Sequence, residues 1–112
     1  MKAKKPYNCG IGPAFEVIGG KWKALILYEL QDKKVRTGEL RRLLGGVITE
    51  KMLIQQLREM EADGIIRREV YAEVPPRVEY STTKAGAELN AALGPIAAWG
   101  EKFQAAREAG RK

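Results

Sequence analysis

The sequence predicts a mainly α-helical chain with one small β-hairpin, which is an α+β fold class. Apolar residues recur at steps of three and four in residues 49–64 and 83–109, glycines and capping residues separate the helical segments, and residues 65–82 have the β-branched residues and the proline-interrupted pattern of a hairpin. With 112 residues and 45% apolar content, the chain is long enough to bury one modest core. We therefore expect residues 1–112 to form a single domain.

The net charge of the chain and the residue types that it lacks disfavour several classes of function, while favouring a polyanion as partner. The chain has 20 Lys and Arg against 14 Asp and Glu, and this formal net charge of +6 attracts polyanions. It has no histidine, the commonest general base and metal ligand, and its single cysteine, Cys9, permits no intrachain disulfide and no multi-cysteine zinc site. No apolar run approaches the ~20 residues of a membrane-spanning helix. We expect a soluble cytoplasmic protein with no cofactor, no metal, no membrane partner and no enzymatic activity.

The N-terminal quarter of the chain predicts an arm and two helices. Residues 1–12 carry lysines, a proline and glycines without periodicity, and predict a basic arm. A short helix over Ala14–Ile18 would follow, with Pro13 in its first position and the Gly19-Gly20 pair ending it. Over Lys21–Gln31, apolar residues cover nearly the whole circumference. That pattern predicts a central helix that is buried on most sides.

Residues 37–63 predict a helix-turn-helix. Val35-Arg36, just before it, is typical of a very short strand, and Thr37 is placed to cap a helix over Gly38–Leu44. The Gly45-Gly46 pair would end that helix. A second capped helix would then follow the turn.

This second helix is predicted to run from its N-cap Thr49 to Asp63, with Gly64 ending it. On a helical wheel, the residues that fall on its core side are Leu53, Leu57, Met60 and Gly64. The residues on the opposite side are Lys51, Gln55, Arg58 and Ala62. Cations and amides are the side-chain types that read the major groove of DNA. Taken alone, this face is more typical of a simply solvated surface, and it is the neighbouring basic hairpin that favours DNA binding.

Residues 65–82 predict a β-hairpin. Ile65–Val74 is rich in β-branched residues and arginine, Pro75-Pro76 interrupts it, and alternation resumes over Arg77–Ser81. The two prolines would keep the tip rigid and stop it from pairing with another strand. A helix, a turn, a second helix and a basic hairpin, in this order, make a winged helix-turn-helix.

Residues 83–109 predict a C-terminal helix, with Gly94-Pro95 as a kink or a break. Its apolar stripe, at steps of three and four, is Leu89, Leu93, Ile96, Trp99 and Phe103. Such a stripe is too apolar to stay exposed in a small monomer, although packing within the monomer would account for half of it. We expect the helix to dimerise with its symmetry mate and with the helix that carries Phe15. The two second helices of the dimer would then lie about one DNA turn, ~34 Å, apart.

Three stretches of the sequence resemble one family. VIGGKW at 17–22, KMLIQQLREMEADGII at 51–66 and EVPPRVEYSTTKAG at 73–86 are similar to the HxlR family of bacterial transcriptional regulators. The resemblance covers almost the whole chain and includes an N-terminal cysteine and the Trp99-Gly100 pair. It implies a dimeric winged-helix protein with a MarR-like fold, which binds double-stranded DNA at promoter sites with two-fold symmetry. Such a regulator represses or activates, and of the two we expect repression.

Carried onto this chain, the resemblance implies a recognition helix over Thr49–Asp63 and a wing around Val74–Val78. The candidate DNA contacts of the recognition helix are Thr49, Lys51, Met52, Gln55, Gln56 and Arg58. Those of the wing hairpin are Arg67, Arg68, Pro75, Pro76 and Arg77. The chain departs from the family at position 54, where Ile54 replaces a common Thr. This side chain would either contact a thymine methyl or pack inward.

Cys9 is a candidate redox sensor, because some relatives sense electrophiles or oxidants through an N-terminal cysteine. The nearby cations Lys4, Lys5 and Lys21 favour a reactive thiolate, and the flanking glycines leave the sulfur accessible. The alternative is a small buried side chain that anchors the arm.

Two rival functions remain. One is a winged-helix module that binds another protein and never touches DNA. The other is a small enzyme, but the sequence offers no paired carboxylates, no nucleophile with a base and no glycine-rich phosphate loop. A small-molecule effector is not identified by any motif.

Overall fold

The computed structural model describes residues 9–110, and within them five helices and three strands follow one another. The helices are α1 (Ile11–Ile18), α2 (Lys23–Glu29), α3 (Thr37–Leu43), α4 (Glu50–Ala62) and α5 (Lys84–Ala109). The strands are β1 (Val35–Arg36), β2 (Ile66–Tyr71) and β3 (Arg77–Thr82). The predicted mainly α-helical class with a hairpin wing is confirmed.

The N-terminal helix α1 begins earlier than predicted. It starts at Ile11, so the last two residues of the predicted arm, 1–12, are helical, while residues 1–8 lie outside the described part. Pro13 is therefore the third residue of α1 and not the first. It is tolerated there because the first N–H groups of a helix have no partner within the helix.

Helix α2 is central but is not buried on most sides. Ile26 and Leu27 are fully buried, whereas Leu25 and Tyr28 are 48% and 40% exposed. The helix is also shorter than the predicted segment Lys21–Gln31. Its apolar circumference thus includes one face that the other residues of the described range 9–110 leave open.

The helix-turn-helix forms from α3 and α4 as predicted, with two differences. Thr37 is the first residue of α3 and not its cap, because the chain passes directly from β1 into the helix and the N-cap is Arg36. The turn contains Gly45 and Gly46, both in the left-handed region with φ of 88° and 71°. The second difference is Gly64, predicted on the core side, which is exposed at φ 78° because α4 has already ended.

The three strands form an antiparallel sheet in the order β1-β3-β2. The central strand β3 places Tyr80 opposite Val35 of β1 and Arg68 of β2. Tyr80 and Val35 are buried and join the core. The sheet thereby ties the hairpin to the segment just before α3.

Helix α5 runs without a break through Pro95, so of the two alternatives predicted for Gly94-Pro95, a kink or a break, the break is wrong. Proline lacks the N–H that would bond to the carbonyl four residues earlier and costs about 3 kcal/mol inside a helix. Burial of Leu93 in the core and a hydrogen bond from Asn90 Nδ2 to the Leu27 oxygen of α2, 2.7 Å long, hold this part of α5 in place. Over residues 9–110, no helix is both long enough and apolar enough to cross a membrane.

Candidate nucleic-acid interface

The outer face of α4 is the first part of the candidate interface. Thr49 caps the helix as predicted, because its Oγ1 accepts a hydrogen bond from the Met52 N–H at 3.1 Å. On the inner side, the fully buried residues are Leu53, Leu57 and Met60. On the outer side, the exposed residues are Lys51, Gln55 and Arg58. Core packing therefore orients α4 so that a cation, an amide and a guanidinium project together from the surface.

Met52 and Gln56 lie on another side of α4. Gln56 is half-buried and its Nε2 donates to the Met52 Sδ at 3.5 Å, while Met52 is exposed. The two side chains contact each other one helical turn apart. They are close to the N-terminal end of the outer face without forming part of the Lys51, Gln55 and Arg58 group.

Ile54 lies in a groove between α4 and the sheet. It is half-buried and packs against the core, and the groove beside it is also lined by Arg58, Val78 and Tyr80. Burial raises the pKa of the Tyr80 phenol, so its hydroxyl stays protonated at neutral pH. Of the two alternatives for Ile54, the structure favours inward packing.

The turn between α3 and α4 is held by an arginine that the sequence patterns did not single out. Arg41 of α3 donates from Nε to the carbonyl oxygen of Ile48 at 2.6 Å, and its own carbonyl accepts from Gly46 at 2.9 Å. Ile48 is buried just before the Thr49 cap. Arg41 thereby fixes where α4 begins.

The wing carries the second group of predicted contacts. Arg67 and Arg68 are exposed on β2, and Arg68 lies 3.7 Å from Glu61 of α4. Pro75 and Pro76 are exposed at the tip. Arg68 lies beside Arg58 of α4, whereas Arg67, the preceding residue of the strand, points to the opposite face of the sheet.

Arg77 is occupied within the wing. Its guanidinium lies 3.3 Å from Glu73 and 3.4 Å from Glu79, and stacks 4.1 Å from the centre of the Tyr71 ring. Its side chain is only 28% exposed. These contacts hold the guanidinium within the wing and compete with any phosphate for it.

Tyr71 also binds a lysine from the turn before β1. The Lys34 Nζ lies 3.1 Å from Glu69 and donates to the Tyr71 hydroxyl at 3.3 Å. The hydrogen bond to Glu69 is the main reason why the pKa of Lys34 is raised. The half of the hairpin nearer its tip is therefore bonded to the segment just before β1.

A polar network reaches the outer face of α4 from α2. Gln55 Nε2 donates to Glu59 Oε2 at 3.4 Å, and Glu59 Oε1 pairs with the Lys23 Nζ at 2.5 Å. Lys23 and, to a smaller extent, Gln55 lower the pKa of Glu59. The spacing of four between Gln55 and Glu59 was visible in the sequence. The partner Lys23 was not, because only the packing of α2 on α4 brings it close.

The predicted dimer residues separate into two groups. Leu93 is buried in the core of the chain and Leu89 packs against that core, so monomer packing accounts for this part of the stripe. The exposed members are Phe15, Ile96, Trp99 and Phe103. The rings of Trp99 and Phe103 stack on each other with centres 5.0 Å apart.

An open apolar groove lies next to these aromatic rings, between α2 and α5. It has a volume of about 640 Å³ and is lined by residues that include Leu25, Tyr28, Ile96 and Gly100.

Cys9 is exposed just before α1, so the alternative of a buried anchor is wrong.

Comparison with known proteins identifies the family. The HxlR-like helix-turn-helix family model matches residues 17–108. The chain belongs to the HxlR-like helix-turn-helix family. Its HxlR relatives include YtcD of Bacillus subtilis strain 168, named as an HTH-type transcriptional regulator and 54% identical over 97 residues, which are 87% of this chain and 76% of YtcD. The predicted class of transcriptional regulator is thereby confirmed.

Solved structures place this HxlR chain among winged-helix regulators. The redox regulator HypR in its reduced form superposes with a TM-score of 0.83 at 44% identity, covering 90% of this chain and 99% of HypR. A transcriptional regulator assigned to the MarR family, from Porphyromonas gingivalis W83, superposes with a TM-score of 0.80 at 36% identity, covering 89% and 97% of the two chains. The MarR-like fold expected for the HxlR family is confirmed.

Proposed function

We propose that this regulator binds double-stranded DNA specifically, with α4 in the major groove. The observation that carries the proposal is the outer face of α4, where Lys51, Gln55 and Arg58 project opposite a fully buried apolar side. Lysine and arginine donate to guanine acceptors and phosphates, and glutamine pairs with adenine. The membership of a family of transcriptional regulators supports the same conclusion.

The wing would bind the DNA backbone beside the major groove. Arg67 and Arg68 are the exposed cations of β2, and contacts of this kind position a protein on the duplex without reading its sequence. The exposed Pro75-Pro76 tip lies at the end of the same hairpin. Arg77 would contribute less, because its guanidinium is already paired with Glu73 and Glu79.

The DNA-binding form would be a homodimer. Phe15, Trp99 and Phe103 are large apolar side chains that stay exposed in one chain, with Trp99 at 64%, and exposed apolar surface of this extent marks an interaction site. The groove between α2 and α5 offers a further apolar surface, and its lining residue Ile96 is on the same helix as Trp99 and Phe103. A symmetric dimer would suit a pseudo-palindromic promoter site. Binding of the dimer to that site would repress transcription, and the protein would act in the cytoplasm.

The proposed dimer would also respond to oxidants or electrophiles through Cys9. The exposure of the thiol supports this role, and HypR, a relative of closely similar structure, is a redox regulator. We ascribe no enzymatic activity to the chain, since the relatives identified are transcriptional regulators.

Salt dependence and two alanine variants test DNA binding against the rival protein-interaction module. Fragments of genomic DNA enriched by the protein serve as probes, and their dissociation constants are measured at rising KCl. Binding should weaken steeply with salt because phosphate contacts release counterions. Lys51→Ala and Arg58→Ala should each weaken binding by about 1–3 kcal/mol.

Lys84→Ala is the matched control, because Lys84 is an exposed lysine at the start of α5. It removes the same charge as Lys51→Ala and should leave the dissociation constant nearly unchanged. If Lys51→Ala, Arg58→Ala and Lys84→Ala all bind the DNA equally well, the protein-interaction module is favoured.

A further inference from the structure

The amide of Gln55 has a partner that determines which way it points. Gln55 is exposed on the outer face of α4, and its Nε2 donates to Glu59 Oε2 at 3.4 Å. The second carboxylate oxygen, Glu59 Oε1, pairs with the Lys23 Nζ at 2.5 Å. Each oxygen of Glu59 thus has its own donor, one from the outer face and one from α2.

The orientation of the Gln55 amide follows from the chemistry of Glu59. An ionised carboxylate only accepts hydrogen bonds, so the amide nitrogen must face it and the amide oxygen must point away. The pKa of Glu59 is lowered, first by the hydrogen bond from Lys23 and then by that from Gln55, and the carboxyl therefore stays ionised at neutral pH. A glutamine without such a partner would present either its oxygen or its nitrogen.

Lys23 holds Glu59 in place. Its side chain is 14% exposed, against 44% for Glu59, so the ion pair is covered on the α2 side and open to solvent on the α4 side. The pair also cancels a negative charge that would otherwise face the phosphates of DNA. The carboxylate is therefore bonded to α2 through Lys23 as well as to Gln55 within α4.

An amide held in this way suits one base better than the others. It presents an acceptor oxygen and, beside it, the second hydrogen of its NH2 group. Adenine offers the complementary pair in the major groove, a donor at N6 and an acceptor at N7, whereas guanine offers two acceptors. The guanine oxygen would face the amide oxygen of Gln55 and repel it.

We propose that Glu59, anchored by Lys23, is a positioning residue that orients the Gln55 amide and so makes α4 select adenine over guanine at the base pair that Gln55 contacts. This inference rests on the proposed DNA-binding function. It assigns to Glu59 and Lys23 a positioning role that needs no base contact of their own.

The test compares base preferences and not overall affinities. A randomised duplex library is selected with the full-length chain, and Gln55→Ala identifies the position at which the preference depends on Gln55. Dissociation constants are then measured for four duplexes that differ only at that position. The unmodified protein should favour adenine over guanine by about tenfold, the range of one bidentate contact.

Glu59→Gln is the decisive variant, since it keeps the shape of the side chain but allows it to donate as well as accept. The ratio of guanine to adenine dissociation constants should fall several-fold, with preferences at other positions unchanged. Lys23→Met, which removes the anchor and keeps most of the aliphatic stem, should lower the same ratio. Glu61→Gln makes the same chemical change two residues further along α4 and should leave the ratio unaltered.

Three results would overturn the inference, and they are distinguishable from one another. A uniform gain in affinity with an unchanged ratio in Glu59→Gln would mean that Glu59 acts through its charge alone. A loss of cytosine preference in Glu59→Gln would mean that Glu59 contacts a base itself. If the unmodified protein enriches no motif, the proposed DNA binding fails and this inference fails with it.

Discussion

The hydroxyl of Thr83 donates a hydrogen bond to the carbonyl oxygen of Gly64 across 2.7 Å. The Thr83 N–H also donates to the Ile65 oxygen at 3.1 Å, and the same hydroxyl accepts from the Gly86 N–H at 3.1 Å. The N-cap of α5 is therefore bonded to the chain immediately after α4. Because α5 also supplies the proposed dimer face, this junction would determine how the two α4 helices of a dimer are placed relative to each other.

Gly86 is the closest contact of this junction, and its replacement should destabilise the fold. A Cβ at position 86 would overlap the Ile65 carbonyl oxygen and lie 2.9 Å from the Ile65 carbonyl carbon, so backbone would have to move. We expect Gly86→Ala to lower the free energy of unfolding by about 1–3 kcal/mol, measured by urea denaturation.

Gly38→Ala is the control for this prediction. Gly38 is exposed within α3, and among the described residues no atom lies within 4 Å of a Cβ added there. Alanine in an open helical position stabilises by up to about 1 kcal/mol. Equal stabilities of the two variants would show that α5 does not approach Ile65 this closely.

Thr49 precedes α4 and Thr37 is the first residue of α3, but only Thr49 acts as a cap. Thr49→Ala removes the acceptor of the Met52 N–H and should cost about 1 kcal/mol of unfolding free energy. Thr37→Ala should change it by less than about 0.5 kcal/mol, because no cap hydrogen bond is lost. A larger loss in Thr37→Ala, measured by the same denaturation, would restore the capping role expected from sequence.

Local signals in the sequence were sufficient for α4 and for the hairpin. The Thr49 cap, the spacing of Leu53 and Leu57, and the left-handed glycine at position 64 act within a few residues of one another, so they identify the helix and its ends. The outer face of α4 followed from the same periodicity. For this reason the exposed group of Lys51, Gln55 and Arg58 could be predicted from the sequence.

The features that could not be predicted from the sequence depend on packing between residues that are far apart in the chain. Thr37 looked like a cap, but pairing of Val35 with Tyr80 makes the preceding residues a strand. The Lys23–Glu59 pair joins residues from different helices, and no local period relates them. The apolar circumference of α2 did not reveal that Leu25 and Tyr28 stay exposed in the chain, because a pattern does not tell which neighbour covers a face.

Trp99 should be essential for the proposed homodimer. It is 64% exposed and stacks on Phe103, so a glutamate there would place a charge in an apolar contact. We expect light scattering to give the mass of two chains for the unmodified protein and of one chain for Trp99→Glu. Val74→Glu introduces the same charge at the fully exposed wing tip and should leave the dimer intact. A single-chain mass for the unmodified protein would contradict the dimer.

Cys9 should account for any response of DNA binding to thiol oxidants. The thiol is exposed just before α1, and α1 also carries Phe15, one of the proposed dimer residues. Two Cys9 thiols, one from each chain, would give up two protons and two electrons to diamide and form one intersubunit disulfide. Treated protein should then run as a covalent dimer on a non-reducing gel, change its affinity for the enriched DNA, and recover with dithiothreitol. Cys9→Ser should bind DNA equally well before and after diamide. If that variant still responds to diamide, Cys9 is not the sensor, and since the sequence has no other cysteine the response would not be thiol chemistry of this chain.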